Sequence, residues 1–287
     1  MTGSPFASVT VLGTGVLGAQ IAMQTAVHGP AVTVFDVDDA ALEAGRGRLR
    51  GFAEAAAREV PGADRDAYLA AVERVAGVAD LAAAVADADL VIEAAPESLE
   101  LKRDLWSRVG AAAPERTVFA TNTSTLLPSA IADASGRPDR FLALHFANRI
   151  WAQNTAEVMG TPGTDPEVAD RVEAFAAAIG MVPIRLHREQ PGYIVNSLLV
   201  PLLNAAAGLL VREVADAETI DRTWRTATGA PSGPFQIFDV VGLRTAYAIA
   251  SAGGPESQAF ASLLKERYLD TGRLGIESGE GFYRYDR

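Results

Sequence analysis

Three consecutive pieces decide the fold: Ser8-Val-Thr-Val-Leu12, Gly13-Thr-Gly15-Val-Leu-Gly18, and Ala31-Val-Thr-Val-Phe35-Asp36. The first is a short apolar run of the kind that forms a buried strand, and the third is a second one. Between them Ala19 to Val27 reads as a helix. The glycines have separate tasks: Gly13 permits a tight turn, Gly15 lets a pyrophosphate approach the backbone, and Gly18 lets helix and strand pack closely. The helix N-terminus, with the backbone of Val16 and Leu17, offers unpaired N–H groups and a partial positive charge to phosphates. Asp36 closes the second strand, where a carboxylate accepts hydrogen bonds from ribose hydroxyls. Strand, glycine turn, helix and acid together point to a dinucleotide site. A carboxylate at 36, with Val37, Asp38 and Asp39 supplying no arginine, favours NAD(H) over NADP(H).

Outward from this unit, strand-like and helical patterns alternate as far as residue 187. Helical spacing covers Asp39 to Arg74 with a break at Pro61-Gly62, and then Asp80 to Ala86, Leu99 to Val109, Leu127 to Ala134 and Pro166 to Ile179. Apolar strand runs occupy Arg74 to Val78, Leu90 to Ala94, Thr117 to Thr121, Phe141 to Phe146, Thr155 to Met159 and Val182 to Leu186. Alternation of this kind predicts an α/β domain, a Rossmann-type and mostly parallel sheet covered by helices. From His187 the character changes through Arg188-Glu-Gln-Pro-Gly192, and the remainder reads as helices. The expected domains are 1–187, dinucleotide-binding, and 188–287, an all-α C-terminal domain.

Composition narrows the function. A chain of 287 residues with 49% hydrophobic and 21% charged residues is of the soluble globular kind. A net charge of −11 argues against nucleic acid and anionic membranes as partners. The absence of cysteine excludes disulfides and thiolate chemistry. No targeting segment is read at the N-terminus, so the expected location is the cytoplasm. Gly192 to Val211 carries no charge, but Asn196, Ser197, Pro201 and Asn204 interrupt it. A core or interface helix is expected there rather than a membrane span.

Of the three histidines, His28 and His187 fall in turns or at a strand end, whereas His145 lies at the end of the buried run Arg140-Phe-Leu-Ala-Leu-His145. In open α/β sheets the carboxyl ends of the strands face the ligand crevice. Glu157 follows on the next strand-like run, so a loop can return it beside His145. A carboxylate on one ring nitrogen fixes the tautomer and leaves the other for proton transfer. Ser124, in Thr121-Asn-Thr-Ser124, also opens onto the crevice, where it can polarise a carbonyl or cap the following helix. No histidine pair has metal-ligand spacing, so no metal is expected. Asp87 and Asp89 read as a solvated helix end.

These residues resemble a known family. His145-Phe-Ala-Asn148 followed by Ala156-Glu157-Val158 is similar to the His-Phe-Phe-Asn and Val-Glu-Val segments of the 3-hydroxyacyl-CoA dehydrogenases. Glu93-Ala-Ala-Pro-Glu97 with Lys102, Asn122-Thr-Ser124, Pro191-Gly-Tyr-Ile-Val-Asn196, Gly233-Pro-Phe235 with Asp239, and Gly279-Glu-Gly-Phe-Tyr283 continue the match in order. The resemblance implies an NADH-dependent oxidoreductase interconverting a 3-keto and an (S)-3-hydroxy group. It implies His145 as acid/base supported by Glu157, with Ser124, Asn148 and Asn196 around the substrate carbonyl and nicotinamide. It implies cofactor contacts from Asp36, Glu97 and Lys102, and a homodimer formed through the C-terminal domain. Arg149-Ile-Trp151 departs from the usual Pro after Asn148, and together with Ser124-Thr-Leu-Leu-Pro128 it resembles the bacterial diketoreductase branch, which reduces β-keto and β,δ-diketo esters. Asp39 to Arg74, where the family offers lysines to CoA phosphates, has none and sets six arginines against seven acids. Free β-keto esters or acids are therefore expected as substrates beside CoA thioesters; Arg149 and Trp151 are read two ways, either pairing a substrate oxygen and lining the pocket or both pointing to solvent. The alternative is a catalytically silent NADH-binding protein of the λ-crystallin type, which has no need for the set Ser124, His145, Asn148, Glu157 and Asn196.

Overall fold

The computed structural model describes residues 3–285. The chain divides into two compact units between Ile194 and Val195. In the first, β1 (Ser8–Leu12), α1 (Val16–Val27), β2 (Ala31–Phe35), α2 (Asp39–Glu59), α3 (Arg65–Glu73) and β3 (Ala76–Val78) form one half of the sheet. The other half follows with α4 (Leu81–Val85), β4 (Leu90–Glu93), α5 (Leu99–Ala112), β5 (Val118–Thr121), α6 (Ser129–Ala132), β6 (Phe141–Phe146), β7 (Thr155–Gly160), α7 (Pro166–Ala178) and β8 (Val182–Leu186). The strand order is β3-β2-β1-β4-β5-β6-β7-β8. Every pairing is parallel except β6 with β7. The order reverses beside β1, and that reversal opens a crevice at the carboxyl ends of β1 and β4.

Both sheet faces are covered, which is why the strands read as apolar runs. Alternation sends Val9, Val11, Leu90, Ile92, Leu142 and Leu144 to one core with α1 and α7. Leu12, Val91, Phe119 and Phe141 go to the opposite face, around the fully buried Trp106 of α5. The same alternation governs the last strands. Leu144 and Phe146 face the first core and so do Ala156 and Val158, which leaves His145 and Glu157 together on the opposite face.

Two local expectations are corrected. The helix read over Leu127 to Ala134 is short: α6 starts after Pro128 and tightens into a 3-10 turn at Asp133–Ser135, which Gly136 ends at φ 70°. Asp89 is not a solvated helix end. Its carboxylate accepts from the backbone N–H groups of Ala7 and Ser8 and pairs with Arg116, which anchors the start of β1. The break at Pro61-Gly62 is as read, with α2 ending at Glu59 and Asp64 capping α3.

The second unit contains α8 (Tyr193–Val211, whose first two residues belong to the first unit), α9 (Ala217–Thr228), α10 (Pro234–Val241), α11 (Leu243–Ser251) and α12 (Pro255–Arg267). Two buried carboxylates staple it. Asp221 accepts from Phe235 N, Gln236 N and Tyr283 Oη. Asp239 accepts from Phe282 N, Tyr283 N and Tyr285 Oη. A Cβ on Gly281 would stand 2.0 Å from Asp239 Oδ1, and one on Gly233 would stand 2.3 Å from Asp221 Cγ. The Gly-Pro-Phe and Gly-Glu-Gly-Phe-Tyr segments thus wrap the two acids, a structural role that satisfies buried donors and acceptors together.

Candidate active site

The crevice begins at the glycine turn. Gly13 has φ 95°, a conformation that favours glycine, and a Cβ there would stand 2.8 Å from Ala94 O. A Cβ on Gly18 would stand 1.9 Å from Gly13 O, so α1 can follow the turn this closely only with glycine there. Gly15 is the N-cap of α1, has no side-chain cap and faces open space. No acid occupies the first turn, so the helix start is suited to an anion. Asp36 accepts from Thr14 N at 2.8 Å and Oγ1 at 2.5 Å, and from Val37 N. Burial pushes the Asp36 carboxyl up, but these bonds and the nearby Arg48 charge outweigh it and hold it below its ordinary value. The open glycine, the uncapped helix start and the ionised Asp36 fit a dinucleotide.

The next two loops at this end come from β4 and β5. Glu93, the last residue of β4, is fully buried and accepts from Lys102 Nζ, Thr121 Oγ1 and Ala95 N. Lys102 is equally buried, and its ammonium also meets Ala95 O and, at 3.4 Å, Glu97. Lys102 therefore sits beneath the loop that carries Glu97. Glu97 Oε1 accepts from Thr123 Oγ1, Ser124 N, Thr125 N and Thr125 Oγ1. Burial pushes the Glu97 carboxyl up, yet the threonine bonds and Lys102 hold it at about 2. Glu97 thus fixes the loop from Thr123 to Thr125, and with it the position of Ser124.

The remaining groups come from β6 and β7. Antiparallel register sets His145 directly opposite Glu157. The His145 ring places Nδ1 3.0 Å from Glu157 Oε2 and Nε2 3.2 Å from Ser124 Oγ. Both residues are nearly solvent-free, at 5% and 2% exposure, so the pair acts in a medium that weakens its attraction little. Glu157 Oε1 accepts from Ile194 N at 2.8 Å, in the first turn of α8, where a helix start favours an anion. Tyr193 lies flat against the imidazole with ring centroids 4.3 Å apart, at an interplanar angle of 12°. Its hydroxyl donates to Thr123 O at 2.6 Å, and its backbone takes φ 54° to do so. With Nδ1 hydrogen-bonded to a carboxylate, Nε2 can take or give a proton at the mouth of the crevice.

Asn148 is exposed just beyond β6, and Gln20 of α1 holds its loop. Gln20 Nε2 donates to Asn148 Oδ1 at 3.4 Å, and its Oε1 accepts from Arg149 N at 2.7 Å. Asn196 lies in the first turns of α8, within the second unit. Arg149 and Trp151 differ from the expectation of a substrate contact. Arg149 Nη2 and Trp151 Nε1 both donate to Glu59 at 2.8 Å, at the end of α2, and Trp151 also packs on Phe52. The carboxylate that engages them stands 90 residues away, which the local sequence does not reveal. Sequence reasoning also missed Tyr193, Glu93 and Gln20. Gln20 had a signal: a polar side chain on a mostly apolar helix must find a buried partner. No cluster able to hold a metal occurs among the described residues.

The comparisons come to the same family. Residues 8–190 match the model of the 3-hydroxyacyl-CoA dehydrogenase NAD-binding domain, and residues 192–285 match that of the C-terminal domain. A solved diketoreductase, described for substrate-directed dual catalysis of dicarbonyl compounds, is similar with TM-score 0.94 and 60% identity, covering 99% of this chain and 100% of its own. The mitochondrial hydroxyacyl-coenzyme A dehydrogenase of Homo sapiens is 36% identical over 96% of this chain and 90% of its own length. A probable 3-hydroxybutyryl-CoA dehydrogenase of Deinococcus radiodurans is 33% identical over 96% of this chain and 99% of its own.

Proposed function

Because the chain belongs to the 3-hydroxyacyl-CoA dehydrogenase family and is an NAD-dependent dehydrogenase, we propose that it reduces the ketone of β-keto and β,δ-diketo esters or acids to an (S)-hydroxyl, with His145 as acid/base and Glu157 as its support. The observation that carries this reading is the His145 ring, held by Glu157 on Nδ1 and presenting Nε2 beside Ser124 Oγ. Bound NADH supplies the hydride to the carbonyl carbon. His145 gives the proton from Nε2 to the carbonyl oxygen as negative charge develops there, and solvent restores it. Glu157 stays ionised through the cycle and opposes the charge of the imidazolium. Ser124 Oγ–H donates to Nε2 when the ring is neutral and turns to the substrate oxygen when the ring is charged, adding a hydrogen bond where charge accumulates. Asn148 and Asn196 are assigned to substrate and nicotinamide, and Asp36 and Glu97 to the cofactor. Lys102 acts through Glu97.

Two features support esters and acids over an obligatory CoA thioester. The arm formed by α2 and α3 has no lysine, and three of its arginines are engaged: Arg46 with Glu43, Arg50 with Glu73, and Arg65 with Glu54. The similar diketoreductase is described with dicarbonyl compounds. CoA then contributes little binding energy. The expected kcat/KM for acetoacetyl-CoA is no more than about tenfold above that for an acetoacetate ester, a gap of ~1.4 kcal/mol. A thousandfold advantage for the thioester would return the chain to an acyl-CoA role.

A homodimer through the helical unit belongs to the same proposal. By length and composition α8 is apolar enough to cross a bilayer; it leaves Leu198 and Val200 exposed, and Val200 lines a cavity of about 360 Å³ with Leu203, Phe238, Val241 and Ile249. An exposed apolar patch of this kind marks a protein interface. Sedimentation giving a 30.1 kDa monomer at micromolar concentration would contradict it.

A further inference from the structure

The residues just after Asp36 contain no arginine, but the fold brings one in from the middle of α2. Gly45 packs that helix directly on the glycine turn: a Cβ there would stand 2.5 Å from Thr14 Cβ and 2.6 Å from Thr14 Oγ1. Three residues on, Arg48 reaches the same turn and donates from Nη1 to Thr14 O at 3.2 Å. Thr14 meanwhile donates its N–H and its hydroxyl to Asp36. One threonine therefore holds an acid through its donors and a base through its carbonyl. The neighbouring Arg46 and Arg50 are spent on Glu43 and Glu73, whereas Arg48 makes no ion pair among the described residues.

In dinucleotide sites of this fold an acid at the end of the second strand receives the ribose 2′-hydroxyl, and a nearby arginine accommodates a 2′-phosphate. We propose that Arg48 is a cofactor-specificity residue that works against Asp36: its guanidinium offsets part of the repulsion of the carboxylate toward a 2′-phosphate, and it binds that phosphate once the charge at position 36 is removed. Arginine suits this role because it is always charged, presents a planar fork to phosphate oxygens, and stands on a rigid helix. Preference for NAD(H) then rests on Asp36 alone, and the counter-charge for NADP(H) is already present.

Calorimetric titration of NAD⁺ and NADP⁺ tests this without turnover, in the native chain, Arg48→Ala, Asp36→Asn and the double variant. Asparagine at 36 keeps an acceptor for Thr14 N while removing the charge. The readout is the Kd of NADP⁺ divided by that of NAD⁺. Asp36→Asn is expected to move this ratio toward NADP⁺ by about 30-fold or more, and Arg48→Ala in that background to reverse it by about tenfold. NADP⁺ binding to Asp36→Asn is also expected to weaken with salt more steeply than binding to the double variant. If Asp36→Asn does not fold, Arg48→Glu in the native frame serves instead, with an expected tenfold shift of the ratio away from NADP⁺. A ratio that stays within twofold when Arg48 is replaced, in either frame, overturns the proposal.

Discussion

Replacing Gly18 with alanine tests how tightly the glycine turn is built. The added methyl would stand 1.9 Å from Gly13 O, 3.0 Å from Gly13 C and 3.3 Å from Ala94 Cβ. The first two neighbours are backbone atoms of the tight turn, so no flexible side chain can yield. The start of α1 must retreat by about 1 Å before the contact becomes tolerable. Alanine is accepted at the third position of some dinucleotide turns, but here the oxygen stands in its path. Overpacking of this kind costs about 1–3 kcal/mol. At roughly 2–4 °C per kcal/mol for a unit of this size, melting is expected to fall by about 2–12 °C. The same retreat withdraws the N–H groups of the helix start from the phosphates, so the Kd for NADH is expected to rise by about tenfold or more. Thermal unfolding followed by circular dichroism, with a parallel titration of NADH, measures both. A variant that melts within 1 °C of the native protein and binds NADH equally well would refute the reasoning, where 1 °C is about the resolution of such a scan.

Other expected outcomes follow from the same geometry. Glu157→Gln keeps the shape of the side chain but removes the charge opposing the imidazolium, and kcat is expected to fall by roughly 10²-fold with little change in NADH affinity; an unchanged kcat in steady-state assays would contradict it. Asp239→Ala leaves two backbone N–H groups and the Tyr285 hydroxyl without their acceptor, and chemical denaturation is expected to show a loss of about 2–4 kcal/mol; a loss below about 0.5 kcal/mol would remove the stapling role. Glu97 sits at about 2 against an ordinary 4.5, so the unfolded chain binds this proton more tightly than the folded one. Its stabilisation is full above pH 4.5 and is lost as pH falls toward 2. The stability gap between the native protein and Glu97→Gln is therefore expected to narrow across that window in acid titrations, and a gap independent of pH would contradict it.

Much of this architecture was legible because it is local. The apolar runs from Ser8 and Ala31, with three glycines between them, name their own strands and turn, since each piece satisfies a rule within a few residues. His145 and Glu157 were legible as a pair because one loop joins adjacent strands, and antiparallel register then sets them opposite one another. Contacts made across the fold were not. Glu59 takes Arg149 and Trp151, Arg48 reaches the glycine turn from a helix, and Tyr193 covers the imidazole from beyond the last strand. Each depends on how a helix lies against the rest of the fold, which no local pattern encodes. Asp89 misled for the same reason, since its partners Ala7 and Ser8 are some eighty residues away.

The central claim is that His145 moves the proton in an NADH-dependent ketone reduction. Its most direct test is single-turnover oxidation of bound NADH by an acetoacetate ester, comparing the native protein with His145→Gln. The account expects the rate to fall by roughly 10²–10⁴-fold while the Kd for NADH stays within about threefold. A His145→Gln protein that turns over at close to the native rate would contradict it.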